Sequence, residues 1–142
     1  MSMTIRVELV SAEAKIYSGK AELVIIPAEL GEMGIAPRHA PLLTSLKPGC
    51  IRIITSQDKE EIFYINGGLA EIQPHLVTIL GDVTVRASDL DEAAALAAKK
   101  QAELELANRK TQLDYSHALA ELAQAMAQLR TIEQLRKKHR IK

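Results

Sequence analysis

Glu32 stands between Gly31 and Gly34, and His39 follows a short way on, between Arg38 and Ala40-Pro41. A carboxylate and an imidazole in one cleft are the usual parts of general acid–base chemistry. Such chemistry needs a concave pocket and shifted ionisation, so the pair stands as a weak enzyme signal. Cys50 is the single cysteine and follows a Pro48-Gly49 turn signal. No neighbour in sequence would lower its ionisation, so it reads as a packed thiol rather than a nucleophile. Gly19-Lys20 lacks the upstream glycine of a phosphate-binding loop and runs on into Ala21. Asn66-Gly67-Gly68 has no helix after it to bind an anion and reads as a β-turn. The four histidines (39, 75, 117, 139) have no metal-ligand spacing. Zinc-protease, Cys-x-x-Cys and nucleophile-elbow signatures are absent. From Arg130 to Lys142 there are six Lys or Arg residues and one acid, Glu133. That cluster suits either a solvated helix end or docking on an acidic surface.

These residues must be positioned by a chain of 142 residues with 18 basic and 18 acidic side chains. The length suits one domain, or a small domain with an appendage. Zero net charge argues against bulk nucleic-acid binding, which needs clustered cations along a surface. Without an apolar run of spanning length, a transmembrane helix is not expected. The opening residues show neither a signal core nor a transit pattern. A lone cysteine rules out an internal disulfide and fits a reducing compartment, so the cytoplasm is the default location.

Composition divides the chain near 86–88. Every proline lies at or before Pro74 and every glycine at or before Gly81, whereas alanine is dense from Ala87 to Ala127. Residues 1–87 carry 8 basic and 10 acidic side chains, and residues 88–142 carry 10 and 8. The first part alternates with period two in Ile5–Leu9 and Cys50–Ile53, and has β-rich runs at Leu23–Ile26, Ile62–Ile65, Leu69–Ile72 and Leu76–Leu80. Turn signals at Ser18-Gly19, Pro48-Gly49, 57–59, Asn66–Gly68 and Gln73-Pro74 separate them. Strands this close in sequence predict antiparallel pairing, in a sandwich or flattened barrel. The second part predicts two helices. One runs from about Asp89 to Ala107 behind the cap signature Ser88-Asp89-Leu90-Asp91, with acids in the first turn, and the other from about Gln112 to Lys137 with a stripe of Leu119, Leu122, Met126, Leu129 and Ile132. The polar break at 108–111 makes them an antiparallel hairpin, Ala-rich and weakly docked.

Three segments, read in order with Leu90-Asp91-Glu92-Ala93, carry a resemblance. They are Gly31-Glu32-Met33-Gly34-Ile35, His39-Ala40-Pro41-Leu42-Leu43-Thr44, and Asn66-Gly67-Gly68-Leu69-Ala70-Glu71-Ile72-Gln73-Pro74. Over nearly its whole length the chain resembles the epsilon subunits of bacterial F-type ATP synthases. The resemblance implies an α+β fold, with an N-terminal antiparallel β-sandwich (1–87) and a C-terminal two-helix antiparallel hairpin (88–142). It implies a non-catalytic central-stalk subunit that couples proton-driven rotation to ATP synthesis. The sandwich would bind the gamma subunit and sit on the ring of c subunits. The hairpin would be mobile, folded on the sandwich or extended along gamma into the alpha/beta catalytic head, where it blocks ATP hydrolysis.

Residue by residue, the resemblance turns Gly31, Glu32 and Gly34 toward the c ring, with Glu32 at the tip of a tight loop, and places His39 near gamma. It makes Arg130, Arg136, Lys137, Lys138 and Arg140 an inhibitory face for the head. Asp91 falls in a nucleotide motif, Ile/Leu-Asp-x-x-Arg-Ala, but the arginine position here is Ala94 and the facing positions hold Gln124 and Gln128. Without the planar forks that pair with phosphate, tight ATP binding is not expected and no cofactor is assigned. The implied location is peripheral, on the cytoplasmic face of the bacterial inner membrane, with membrane contact only through the c ring. Two other readings stay open on the residues: a stand-alone scaffold or nucleic-acid-binding module using the basic tail, and an enzyme built on Glu32 and His39.

Overall fold

The computed structural model describes residues 3–55, 59–108 and 111–141, with side chains as far as 138. Eight strands come first: β1 (Ile5–Ser11), β2 (Lys15–Ala21), β3 (Leu23–Ala28), β4 (Gly31–Ile35), β5 (Leu42–Ile54), β6 (Glu60–Ile72), β7 (Leu76–Gly81) and β8 (Thr84–Arg86). A short 3-10 helix (Ala87–Asp89) leads to two helices, α1 (Glu92–Ala107) and α2 (Gln112–Ile141).

The strands form two layers that share their longest members. One layer runs β2-β1-β7 and continues into the C-terminal half of β6 and the N-terminal half of β5. The other joins β4, β3, the C-terminal half of β5, the N-terminal half of β6, and β8. Period-two alternation sends one side chain in two inward. Val7, Leu9, Ile72, Val77 and Ile79 of the first layer meet Val24, Ile26, Ile51, Ile53, Phe63 and Ile65 of the second. Each such fully buried side chain contributes roughly 1.5–3 kcal/mol of transfer free energy.

β5 and β6 pass from one layer to the other without breaking, which corrects two expected turns. Pro48 lies opposite Asn66, so both strands bend at the same level. Gly67 and Gly68 have φ of 102° and 144°, and a Cβ on Gly68 would fall 2.0 Å from the Leu80 carbonyl oxygen. Asn66-Gly67-Gly68 is therefore a bend within a strand rather than a hairpin turn; its glycines admit a close crossing by β7. Pairing is antiparallel except between β1 and β7, which run parallel with Val7 beside Val77. Most of the sandwich connects those two strands, so the short-connection argument does not apply to them.

The hairpin also refines its expected form. Within the Ser88-Asp89-Leu90-Asp91 signature it is Asp91 that caps α1, its carboxylate accepting from the Ala94 N–H at 3.2 Å. Thr111 Oγ1 accepts from the Asp114 N–H at 3.0 Å and caps α2. With 30 residues α2 is longer than expected, roughly 45 Å at 1.5 Å per residue. The expected leucine stripe is displaced: Leu119 is 41% exposed, while Ala118, Ala125 and Ile132 are buried at seven-residue spacing. Ala95 and Ala102 answer them from α1. Small side chains at a heptad seam let two helices approach closely. Ala127 and Thr131 are buried as well. They mark a second buried side of α2, turned to the sheet, and two such sides leave no single apolar stripe. Among the described residues no helix is long and apolar enough to cross a membrane.

Candidate interaction surfaces

The outward face of the β4-β3-β5-β6-β8 layer is covered by α2. Alternation along β5 and β6 puts Cys50, Arg52, Glu60, Ile62 and Tyr64 there, with Cys50 paired to Tyr64. Gln128 of α2 hydrogen-bonds the Tyr64 phenol, whose ionisation burial pushes up. Thr131 of α2 lies beside Cys50, its hydroxyl donating to the Ala127 carbonyl at 2.8 Å. Burial pushes the Cys50 thiol up to about 11, outweighing the neighbouring Thr131 hydroxyl and Arg52. The thiol is thus a packed group held protonated, as its sequence context suggested.

Polar contacts hold the far end of the hairpin. Arg136 pairs with Glu92 at the start of α1. Lys138 Nζ donates to the Glu60 carbonyl oxygen, and the Glu60 carboxylate in turn pairs with Arg52. Arg130 and Lys137 are exposed, and the Arg140 side chain lies outside the described residues. The basic cluster is therefore divided between cations engaged within the chain and cations facing solvent.

Between α2 and the sheet lies a cavity of about 180 Å³, lined in part by Pro27, Glu32, Lys47, Cys50, Arg130 and Gln134. Glu32 is not at a loop tip as expected. It lies within β4, paired to Pro27, because Gly31–Ile35 extends and pairs with β3. The apex of that hairpin is Glu29-Leu30, and Leu30 is fully exposed, at 102%. His39 sits in the loop between β4 and β5. Its backbone N–H donates to the Ala36 carbonyl at 3.2 Å, and its Nδ1 donates to the Ala40 carbonyl at 2.7 Å. Neighbouring Arg38, at φ 67°, ties the loop to the β6–β7 turn through Pro74. No described hydrogen bond or ion pair joins Glu32, in β4, to His39, in the following loop. Among the described residues no three His, Cys, Asp or Glu side chains gather as metal ligands.

Asp91 spends its carboxylate on the helix cap, and Gln128 faces Tyr64. Two of the positions considered for nucleotide are thus engaged elsewhere in the folded hairpin.

The opposite face of the sandwich is bare. The register aligns Val10, Leu80, Leu69 and Ser45 across β1, β7, β6 and β5. Leu80 is 51% exposed, Leu69 44% and, one row over, Leu43 66%. At the β1–β2 edge, Lys15 bonds Glu8 at 2.9 Å and holds its carboxyl below the usual range. An apolar centre with a charged rim is the anatomy of a protein-binding patch. Sequence reasoning passed over Leu30, Leu43, Leu69 and Leu80. Leucine in the Glu29-Leu30-Gly31 turn was a visible signal; the other three emerge only once register is known.

Comparison with known proteins agrees with this architecture. A family model described as the ATP synthase delta/epsilon chain β-sandwich domain matches residues 4–87, and one described as the long α-helix domain of the same chain matches residues 88–133. Proteins named ATP synthase epsilon chain are similar over nearly full length. That of Nitrosococcus oceani is 54% identical, covering 97% of this chain and 99% of the relative. That of Halorhodospira halophila is 59% identical, covering 95% and 96%. Among solved structures, a chain of the Euglena gracilis mitochondrial ATP synthase superposes with a TM-score of 0.81 at 19% identity, covering 87% of this chain and 78% of that one. A chain of the Tetrahymena thermophila mitochondrial ATP synthase central stalk and c ring gives 0.63 at 13% identity, covering 92% and 98%.

Proposed function

The chain belongs to the ATP synthase delta/epsilon family in both of its parts, and from that premise we propose that it is the epsilon subunit of a proton-translocating F-type ATP synthase. In this reading it is a non-catalytic member of the central stalk. It joins the c ring to gamma and restrains ATP hydrolysis through its C-terminal helices. The observation that carries the reading is the two-sidedness of the sandwich: one face lies beneath α2 of the hairpin, and the other exposes Leu43, Leu69 and Leu80.

The leucine face is assigned to gamma, with the His39 loop at its edge. The β3–β4 hairpin, with Gly31, Glu32 and Gly34 behind an apex at Glu29-Leu30, is assigned to the polar loops of the c ring. Exposed carboxylate pairs are worth ~0–1 kcal/mol each, so Glu32 would adjust that docking rather than create it. Arg130, Arg136, Lys137, Lys138 and Arg140 are assigned to the catalytic head when the hairpin extends. ATP is not held tightly, because Asp91 caps a helix and position 94 is alanine. The protein would lie peripherally on the cytoplasmic face of the inner membrane, touching it only through the c ring. The basic end offers a nucleic acid less than its sequence suggests, since Arg136 and Lys138 are already engaged within the chain.

Co-purification with the gamma subunit tests the assignment. A stoichiometric complex that survives high salt is expected, because the proposed contact is apolar at its centre. Failure of the intact chain to bind gamma would contradict it.

A further inference from the structure

Every cation in the tail suits an acidic partner, yet two of them already have partners. Arg136 crosses from α2 to Glu92 in the first turn of α1, and Lys138 crosses from α2 to the Glu60 carbonyl of the sheet. Together they tie the end of α2 to both surfaces it rests on. Elsewhere the fully buried side chains of α2 are mostly small (Ala118, Ala125, Ala127 and Thr131, with Ile132 the largest), and Leu122, Met126, Leu129 and Leu135 are only half-buried. Where apolar burial is small, a few polar contacts decide whether an element stays docked.

We infer that Arg136–Glu92 and Lys138–Glu60 form a latch whose cations have two mutually exclusive sets of partners: inside the folded chain, or on an acidic docking surface after the hairpin lifts. This rests on the proposed function for the identity of that surface, but not for the latch itself. The consequence is a sign. Removing the acid side of the latch frees a cation without deleting it, so Glu92→Gln favours the extended, inhibitory form. Arg136→Gln opens the latch too, but deletes a cation needed for docking.

Cys50 supplies a probe within the chain. It is the only cysteine, it lies beside Thr131 of α2, and burial holds its thiol protonated. Lifting α2 exposes it and restores its reactivity.

The test is thiol labelling of the intact chain carrying Glu92→Gln, Arg136→Gln, or both. Each single change is expected to speed labelling about two- to fivefold, the range for a partly exposed ion pair. The double variant should label no faster than the faster single one, because both remove one interaction. Raising salt to about 1 M, where the screening length is about 3 Å, should speed the wild type and leave the double variant nearly unchanged. Unchanged labelling in all three variants, or multiplicative effects of the two changes, overturns the latch. ATP hydrolysis by the catalytic head with gamma is then read with the Glu92→Gln chain bound, and stronger suppression than wild type is expected. Faster labelling without any suppression by either chain would leave the latch standing and sink the proposed function. Suppression with unaltered labelling would do the reverse.

Discussion

Arg136 and Glu92 are 44 residues apart in sequence, yet their side chains form an ion pair across the two ends of the hairpin. The pair sits at the open end, where α1 begins and α2 nears its last turns. It closes a helix pair whose buried seam is mostly alanine, with Ala95 and Ala102 on one side and Ala118, Ala125 and Ile132 on the other. A seam of small residues brings the helices close but removes little apolar area from water. In the proposed function this long helix is an arm able to leave the sandwich.

The bend in β6 makes a stability prediction. Gly68 has φ of 144°, and a Cβ there would meet the Leu80 carbonyl oxygen at 2.0 Å. Gly68→Ala combines backbone strain with a backbone clash that no side chain can relieve. A loss of about 2–4 kcal/mol is expected, read as a lowered urea midpoint. Wild-type stability in that variant would contradict the reading of the bend.

This bend also shows where sequence reasoning stops. Asn66-Gly67-Gly68 looks the same in sequence whether it ends one strand or bends another, because glycine permits both. Only pairing with Pro48 and Gly81 separates the two. Likewise Glu32 was placed at a loop tip because glycines flank it, whereas cross-strand pairing with Pro27 draws it into β4. Local periodicity was enough for the division into strands and helices and for the Ala-rich hairpin. Ile5, Val7 and Leu9 fall inside, as their alternation implied. What periodicity could not carry was contact between distant segments: the parallel β1–β7 pair, the leucine face, and the double-sided burial of α2.

Leu69→Glu and Leu80→Glu act on the uncovered face. Both side chains are about half exposed and adjacent across β6 and β7, so folding should change little. Central apolar residues carry most of the binding energy in an interface, so gamma binding should weaken by about tenfold or more for each. Titration calorimetry against gamma checks this, with circular dichroism to confirm the fold.

Cys50 gives a pH dependence. Its thiol is raised from 9.0 to about 11 in the folded chain. The folded state therefore keeps a proton that the unfolded state releases. That contribution is complete below about pH 9 and is lost as pH rises toward 11, on the order of 3 kcal/mol in all. Cys50→Ala should lack this part of the alkaline decline, and comparing the two denaturation curves at pH 8 and pH 10.5 isolates it from the similarly raised Tyr64.

Asp91 separates a cap from a nucleotide ligand. Asp91→Ala should cost about 1 kcal/mol through loss of the cap. Millimolar ATP should raise the melting temperature of neither protein. A melting temperature that rises with ATP in the wild type and not in the variant would assign Asp91 to nucleotide.

In the proposed function, inhibition by this chain requires that the hairpin leave the sandwich, and a covalent tether tests it. Thr131→Cys places a second thiol beside Cys50, which Thr131 now neighbours, so oxidation should lock α2 down. The measurement is ATP hydrolysis by the catalytic head with gamma, saturated with this variant, oxidised and then reduced. The account predicts that the oxidised chain binds but leaves hydrolysis running, and that reduction restores suppression. Equal suppression by the bound oxidised and reduced forms would show that inhibition does not need the hairpin to move.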